Sequence, residues 1–190
     1  SITNATDGND TVNWILSQPW SNGVIIGKGV SALGITQNFL SGASPNGLDG
    51  QYITKSTANL YDSVYYGGVF CRSAIEGFLL TQNFDSQALQ DFIAHPIYDS
   101  FWQQFDQTKR QNLRDYPVVI VTGWYDIFLR ESVNNFETLR INGSELTKNE
   151  SKLVISLSAH GSNNGAIQWP SDASFPAGYS ELGFMESYMF

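Results

Sequence analysis

Three side chains in this sequence have the types and the order needed for nucleophilic chemistry: Ser31, Asp126 and His160. Each comes shortly after an apolar run. Ser31 follows Val24-Ile25-Ile26 in a stretch crowded with Gly27, Gly29 and Gly34. Asp126 closes Gly123-Trp124-Tyr125-Asp126, just past Val118-Val119-Ile120-Val121. His160 lies beyond Lys152-Leu153-Val154-Ile155-Ser156-Leu157. A serine hydroxyl is a weak nucleophile until a base takes its proton. A histidine can be that base when a carboxylate fixes its tautomer and stabilises the charged ring. The expected chemistry is attack of Ser31 on an ester or amide carbonyl, with His160 carrying the proton and Asp126 orienting His160. Each residue also has a plainer reading when taken alone: a turn serine, a helix-capping aspartate, a loop histidine. Their order and their placement after three separate strands favour the joint reading. His95 is the rival base, but it precedes Pro96 and has no strand leading to it.

The elements that must position these residues follow from hydrophobic patterning. Asp10–Gln18 reads as a helix, with Asp7 or Asp10 as cap. Val24–Ile26 reads as a short strand buried on both faces. Ala32–Leu40 reads as the helix after Ser31. Residues 41–57 are rich in Gly, Ser and Asn and are expected to be loop. Residues 58–115 read as mostly helical, with helices over Ala58–Tyr66, Cys71–Gln82, Ser86–His95 and Tyr98–Arg110. Val118–Val121 is a second strand, Leu129–Ile141 a helix, Asn142–Ser151 a polar loop and Lys152–Leu157 a third strand. Residues 162–177 read as irregular and 181–190 as a short helix. The fold class is α/β, with a parallel sheet whose strands end in Ser31, Asp126 and His160. Ligands collect at that end of such sheets. The order Ser, then Asp, then His is the one expected of α/β-hydrolases. Three segments result: a core over 1–40 with the nucleophile turn, a helical cap insertion over 41–116, and a core over 117–190 with the acid and base loops.

Bulk properties narrow the alternatives. Of 190 residues, 42% are apolar and 15% charged, which suits folded structure rather than disorder. The net charge is −8 without a basic patch, so binding to nucleic acid is not expected. No apolar run reaches the ~20 residues of a membrane helix. Cys71 has no second cysteine to pair with, and with His95 and His160 it makes too small a set for zinc. No metal or cofactor is expected. Four N-glycosylation patterns start at Asn4, Asn9, Asn142 and Asn149. They hint at a secreted or extracellular protein; the cytoplasm is the alternative.

Several segments carry a resemblance. Asp10-Thr-Val-Asn-Trp-Ile-Leu-Ser-Gln-Pro-Trp-Ser-Asn-Gly23 resembles the segment before the nucleophile in the cocaine esterase / X-Pro dipeptidyl-peptidase family. Gly29-Val-Ser-Ala-Leu-Gly-Ile-Thr-Gln37 resembles its nucleophile motif, Gly-x-Ser-Tyr-x-Gly-x-Thr-Gln, with Ala32 in place of Tyr. His95-Pro-Ile-Tyr-Asp-Ser-Phe-Trp102 is similar to a cap-region pattern, Gly123–Asp126 to the acid motif, and Leu153–His160 to the histidine strand. Lys28 stands where the family has an aromatic or apolar residue, and Ser158-Ala159 where it has Trp-Ser.

The resemblance implies a serine hydrolase of the X-Pro dipeptidyl-peptidase or acyl-ester type, acting through Ser31, Asp126 and His160. The Ala32 N–H would serve the oxyanion, and Trp124, Tyr125, Tyr98 and Trp102 would wall the acyl pocket. The substrate would be an ester or a peptide. The resemblance further implies that the chain is the C-terminal part of a hydrolase domain. Earlier strands and a second oxyanion donor would lie upstream, and a β-sandwich downstream. Those parts, from the same precursor or other chains, are the expected partners. The 190 residues alone are expected not to fold stably, and an oligomer is compatible with this. The alternative is a non-catalytic, hydrolase-like structural or assembly protein.

Overall fold

The computed structural model describes residues 3–43, 46–84 and 86–161. The expectations for 162–190 lie outside them. Helix α1 (Thr3–Leu16) starts seven residues before the expected Asp10, so Asp7 and Asp10 sit inside it rather than capping it. Strand β1 (Ile26–Val30) starts where the expected strand Val24–Ile26 ends, and it is not buried on both faces: Val24 and Val30 are exposed, because β1 stands at the end of the strand order. It runs directly into Ser31, and α2 (Ala32–Gly42) leaves from it. A strand not expected from the sequence follows, β2 (Gly50–Thr54), within the stretch read as loop. Next come α3 (Leu60–Val64), a hairpin of β3 (Tyr65–Tyr66) and β4 (Val69–Phe70), α4 (Arg72–Thr81), α5 (Ser86–Ala94) and α6 (Ser100–Gln103). A 3₁₀ helix over Gln107–Leu113 leads to β5 (Val118–Tyr125). The described chain closes with α7 (Leu129–Asn142), α8 (Glu145–Glu150) and β6 (Lys152–Ala159).

β1, β2, β5 and β6 form one parallel sheet in that order. Its two inner strands explain their own composition. Ile53, Val118 and Ile120 face one side, with Val12 of α1, Leu40 of α2 and Leu139 of α7 packed on them. Tyr52, Val119 and Val121 face the other side and are also buried. A strand covered on both faces must be a continuous apolar run. β2 breaks that pattern with Gln51. Its fully buried amide accepts from Ser41 Oγ–H and donates to Gln37 O at 2.8 Å. A polar strand residue paired this way carries no signal in composition, and five residues between Gly- and Asn-rich flanks leave little else to detect. The sheet therefore takes in Gly50–Thr54, within the stretch 41–116 expected to be a cap insertion.

The cap departs from the expected helices for local reasons. Gly67 and Gly68, at φ +61° and +84°, turn the chain into the β3–β4 hairpin and cut the first helix short. Asp99 accepts from Phe101 N–H at 2.9 Å and caps α6. An aromatic cluster forms a second core here, with Val64, Tyr65 and Trp102 buried and Tyr61, Phe70, Phe92, Tyr98, Phe101 and Phe105 around them. The polar stretch after α7 holds α8, because Ser144 Oγ accepts from Thr147 N–H at 3.1 Å as an N-cap.

Close strand approach is built in at Gly123. A Cβ there would lie 2.0 Å from Ser158 O and 2.6 Å from Ser158 Oγ. Gly123→Ala is expected to cost about 1–3 kcal/mol, seen as a fall of several degrees in a thermal melt. Gly77→Ala, which meets nothing within 4 Å inside α4, should be neutral or slightly stabilising. Equal melting points for the two variants would show that β5 and β6 part without cost.

Candidate active site

Ser31, Lys55, Asp126 and His160 each follow the last residue of a sheet strand, so all four lie along one edge. The turn at Ser31 is tight. Its φ is +55° with ψ −121°, in the region that disfavours side-chain-bearing residues. The backbone is pinned on both sides. Ser31 N–H donates to Thr54 O at 3.0 Å, and Ser31 O accepts from Ile35 N–H and Ser56 Oγ–H, each at 3.0 Å. Ser56 is tied in turn to α7, since Ser132 Oγ–H donates to Ser56 O at 3.0 Å. Two glycines allow α2 to pass so near β1. A Cβ on Gly29 would lie 2.3 Å from Leu33 O, and one on Gly34 would lie 2.6 Å from Ser56 Cβ. Ala32 opens α2, so its N–H belongs to the first turn, where no preceding helical carbonyl accepts it. The helix N-terminus adds partial positive charge at the same place.

The three candidate residues meet. Ser31 Oγ lies 2.9 Å from His160 Nε2, and His160 Nδ1 lies 3.0 Å from Asp126 Oδ2. A carboxylate only accepts, so Nδ1 carries the proton. Nε2 of the neutral ring is then free to accept from the Ser31 hydroxyl. The Asp126 side chain is fully buried, and its other oxygen accepts from Phe128 N–H at 2.8 Å. One carboxylate thus orients the ring and shapes the turn into α7. The Phe128 ring stands edge-on to His160 with centroids 5.2 Å apart. His95, the rival base, is used in the cap. Its Nδ1 lies 2.6 Å from Asp99 Oδ2, and its ring stacks on Phe101 at 4.3 Å. The hydrogen bond from His95 holds the Asp99 carboxyl below the usual carboxylate range.

The expected pocket walls separate. Trp124 and Tyr125 are exposed beside Asp126, at the end of β5. Trp102 has no exposed surface, and its Nε1–H donates to His95 O at 2.8 Å, so it serves the cap's core. Tyr98 lines a cavity of about 420 Å³ with Asp62, Asp106 and Glu131, and none of Ser31, Asp126 or His160 borders it. Burial, and then its hydrogen bond to Asp106, push the Tyr98 hydroxyl well up. Asn142 and Asn149 are exposed in α7 and α8, while Asn4 and Asn9 fall within α1. No group of three or more His, Cys, Asp or Glu among the described residues is placed to hold a metal ion. No helix among them is long and apolar enough to cross a membrane. Lys55 carries no signal in the sequence, because the strand before it lies in a Gly-, Ser- and Asn-rich stretch with the composition of a loop.

A parallel sheet with flanking helices and a serine on the strand-to-helix turn at the C-terminal edge of its strands defines an α/β-hydrolase-like fold. The family model for X-Pro dipeptidyl-peptidase (S15 family) matches residues 1–88 and 76–162, and the chain belongs to that family of hydrolases. The cocaine esterase of Rhodococcus sp. (strain MB1 Bresler) is 24% identical over 211 residues, covering 86% of this chain and 36% of that protein. The chain therefore spans about a third of the length of this relative. A CocE/NonD family hydrolase from Staphylococcus aureus shares the fold at a TM-score of 0.66 and 24% identity, over 82% of this chain and 28% of that one. An aminopeptidase from a marine sediment Thaumarchaeota archaeon does so at 0.63 and 20%, over 83% and 32%. An α-amino acid ester hydrolase does so at 0.56 and 16%, over 83% and 32%.

The strain at Ser31 is open to direct test. Ser31→Gly should be more stable than Ser31→Ala by about 1 kcal/mol, relief of the positive φ outweighing glycine's larger unfolded-state entropy. Denaturant melts of the two variants measure it; equal midpoints would mean the turn stores no strain.

Proposed function

We propose that this protein hydrolyses an ester or amide through an acyl-enzyme on Ser31. The observation that carries the reading is the continuous Ser31–His160–Asp126 hydrogen-bond chain, with links of 2.9 and 3.0 Å. His160 Nε2 takes the hydroxyl proton as Ser31 Oγ attacks the carbonyl carbon. The ring becomes imidazolium, and the buried Asp126 carboxylate stabilises it without taking the proton. The carbonyl oxygen becomes an oxyanion facing the Ala32 N–H at the start of α2. His160 then gives its proton to the leaving alkoxide or amine. Water attacks the acyl-enzyme by the same route in reverse, and Ser31 is regenerated. No cofactor is required in these steps.

Trp124 and Tyr125 flank Asp126 and are exposed, which suits them to meet an apolar acyl group. The named relatives include an esterase, an aminopeptidase and an amino acid ester hydrolase. A small acyl ester or the N-terminal part of a peptide is the substrate class this reading favours. In the working enzyme, further polypeptide would supply a second oxyanion donor, consistent with a relative about three times as long.

The intact protein is expected to be labelled by a fluorophosphonate probe, and Ser31→Ala is expected to lose all labelling. Asp126→Asn, which favours the wrong histidine tautomer, should lower kcat by about 10⁴-fold. Absence of labelling in the intact protein would sink the reading.

A further inference from the structure

Lys55 stands in the middle of the reactive edge and has no part in the steps above. It follows β2, between β1, which leads to Ser31, and β5, which leads to Asp126. Its φ is +49°, so a residue with a long side chain occupies the left-handed region at the end of a buried strand. Such strain persists only where surrounding contacts hold it, and it gathers at functional sites. Here the contact is Lys55 N–H donating to Val121 O at 2.7 Å, which continues the β2–β5 ladder. The side chain then runs past the end of β5 toward β6, strands two spacings or ~9.6 Å apart. Its Nζ donates to Ala159 O at 2.6 Å. That carbonyl belongs to the peptide bond that leads into His160.

The end of β6 needs such a hold. Among the described residues β6 pairs on one side only, with β5. Its final pair, Tyr125 with Ala159, comes after an irregularity in register between Gly123 and Tyr125. The strand end carrying Ser31 is fixed by two backbone hydrogen bonds and one from the Ser56 hydroxyl, and Asp126 is buried. His160 is partly open to solvent, with 30% of its side chain exposed. We infer that Lys55 is a positioning residue for His160: its ammonium clamps the Ala159 carbonyl and so keeps the imidazole in line between Asp126 Oδ2 and Ser31 Oγ. A charge-assisted bond to a half-buried carbonyl is strong and directional. A displacement of the ring of about 1 Å is enough to cost about a hundredfold in rate.

The inference rests on the serine-hydrolase reading, and the test keeps the two apart. In the intact protein, Lys55→Met should lower kcat on a p-nitrophenyl ester by about ten- to a hundredfold. KM should change by less than about twofold, because binding is untouched. Lys55→Arg should recover most of the rate, since a guanidinium also reaches a carbonyl. Lys55→Gly relieves the positive φ and so should fold at least as well, yet it lacks the ammonium and should lose as much rate as Lys55→Met. A second readout needs no turnover: the downfield proton resonance of His160 Nδ1–H bonded to Asp126. It should shift or broaden away in the Met and Gly variants and persist in the Arg variant. Wild-type kcat in the Met or Gly variant overturns the inference. So does an unmoved resonance, whatever kcat does. If the wild-type protein neither hydrolyses the ester nor takes the fluorophosphonate label, the serine-hydrolase reading falls alone and the resonance decides the role of Lys55.

Discussion

The close crossing of α2 over β1 at Ser31 is the constraint on which the candidate site depends. A side chain at Gly29 or Gly34 would strike Leu33 O or Ser56 within 2.3–2.6 Å, so the crossing exists only because both positions lack a Cβ. The tight turn forces Ser31 to a positive φ, a strain of about 1–3 kcal/mol. Hydrogen bonds to Thr54, Ile35 and Ser56 hold it there. Three consequences follow from the one crossing. The hydroxyl lies at the sheet edge, α2 begins at the next residue, and Ser31 Oγ comes within 2.9 Å of His160 Nε2.

The rest of the edge is organised by shared groups. Asp126 shapes the entry to α7 with one oxygen and orients His160 with the other. Burial of that carboxylate is tolerable because both oxygens have partners. Beneath α2, Asn38 links the cap junction and α7, accepting from Arg114 Nη2–H at 3.0 Å and from Asn135 Nδ2–H at 3.2 Å. Burial pulls the Arg114 guanidinium down to about 10. The cap keeps its own aromatic core around Trp102 and Tyr65, which leaves the sheet edge free of its packing demands.

The sequence by itself determined the strands and helices that carry strong periodic or continuous apolar signals: β5 and β6, with α2 and α7; for β1 the apolar run Val24–Ile26 marks only the approach, and the strand itself is Ile26–Val30. It also determined the glycine spacing around Ser31 and the order Ser, Asp, His along the chain. These are local properties, set by covalent order and, for β5, by side chains buried on both faces of the strand. Tertiary structure alone decided the remainder. β2 became a central strand because Gln51 found Ser41 and Gln37 as partners, which no local pattern records. α8 formed on a Ser144 cap within a polar stretch, and Gly67-Gly68 replaced helix with hairpin. Trp102 and Tyr98 turned toward the cap's interior and cavity because aromatic surface there is buried among its own kind. Lys55 reached Ala159 across 104 residues of sequence only because the sheet sets β2 and β6 on either side of β5. Distances between side chains far apart in sequence depend on strand order, and strand order is fixed by which buried faces fit together rather than by any single segment.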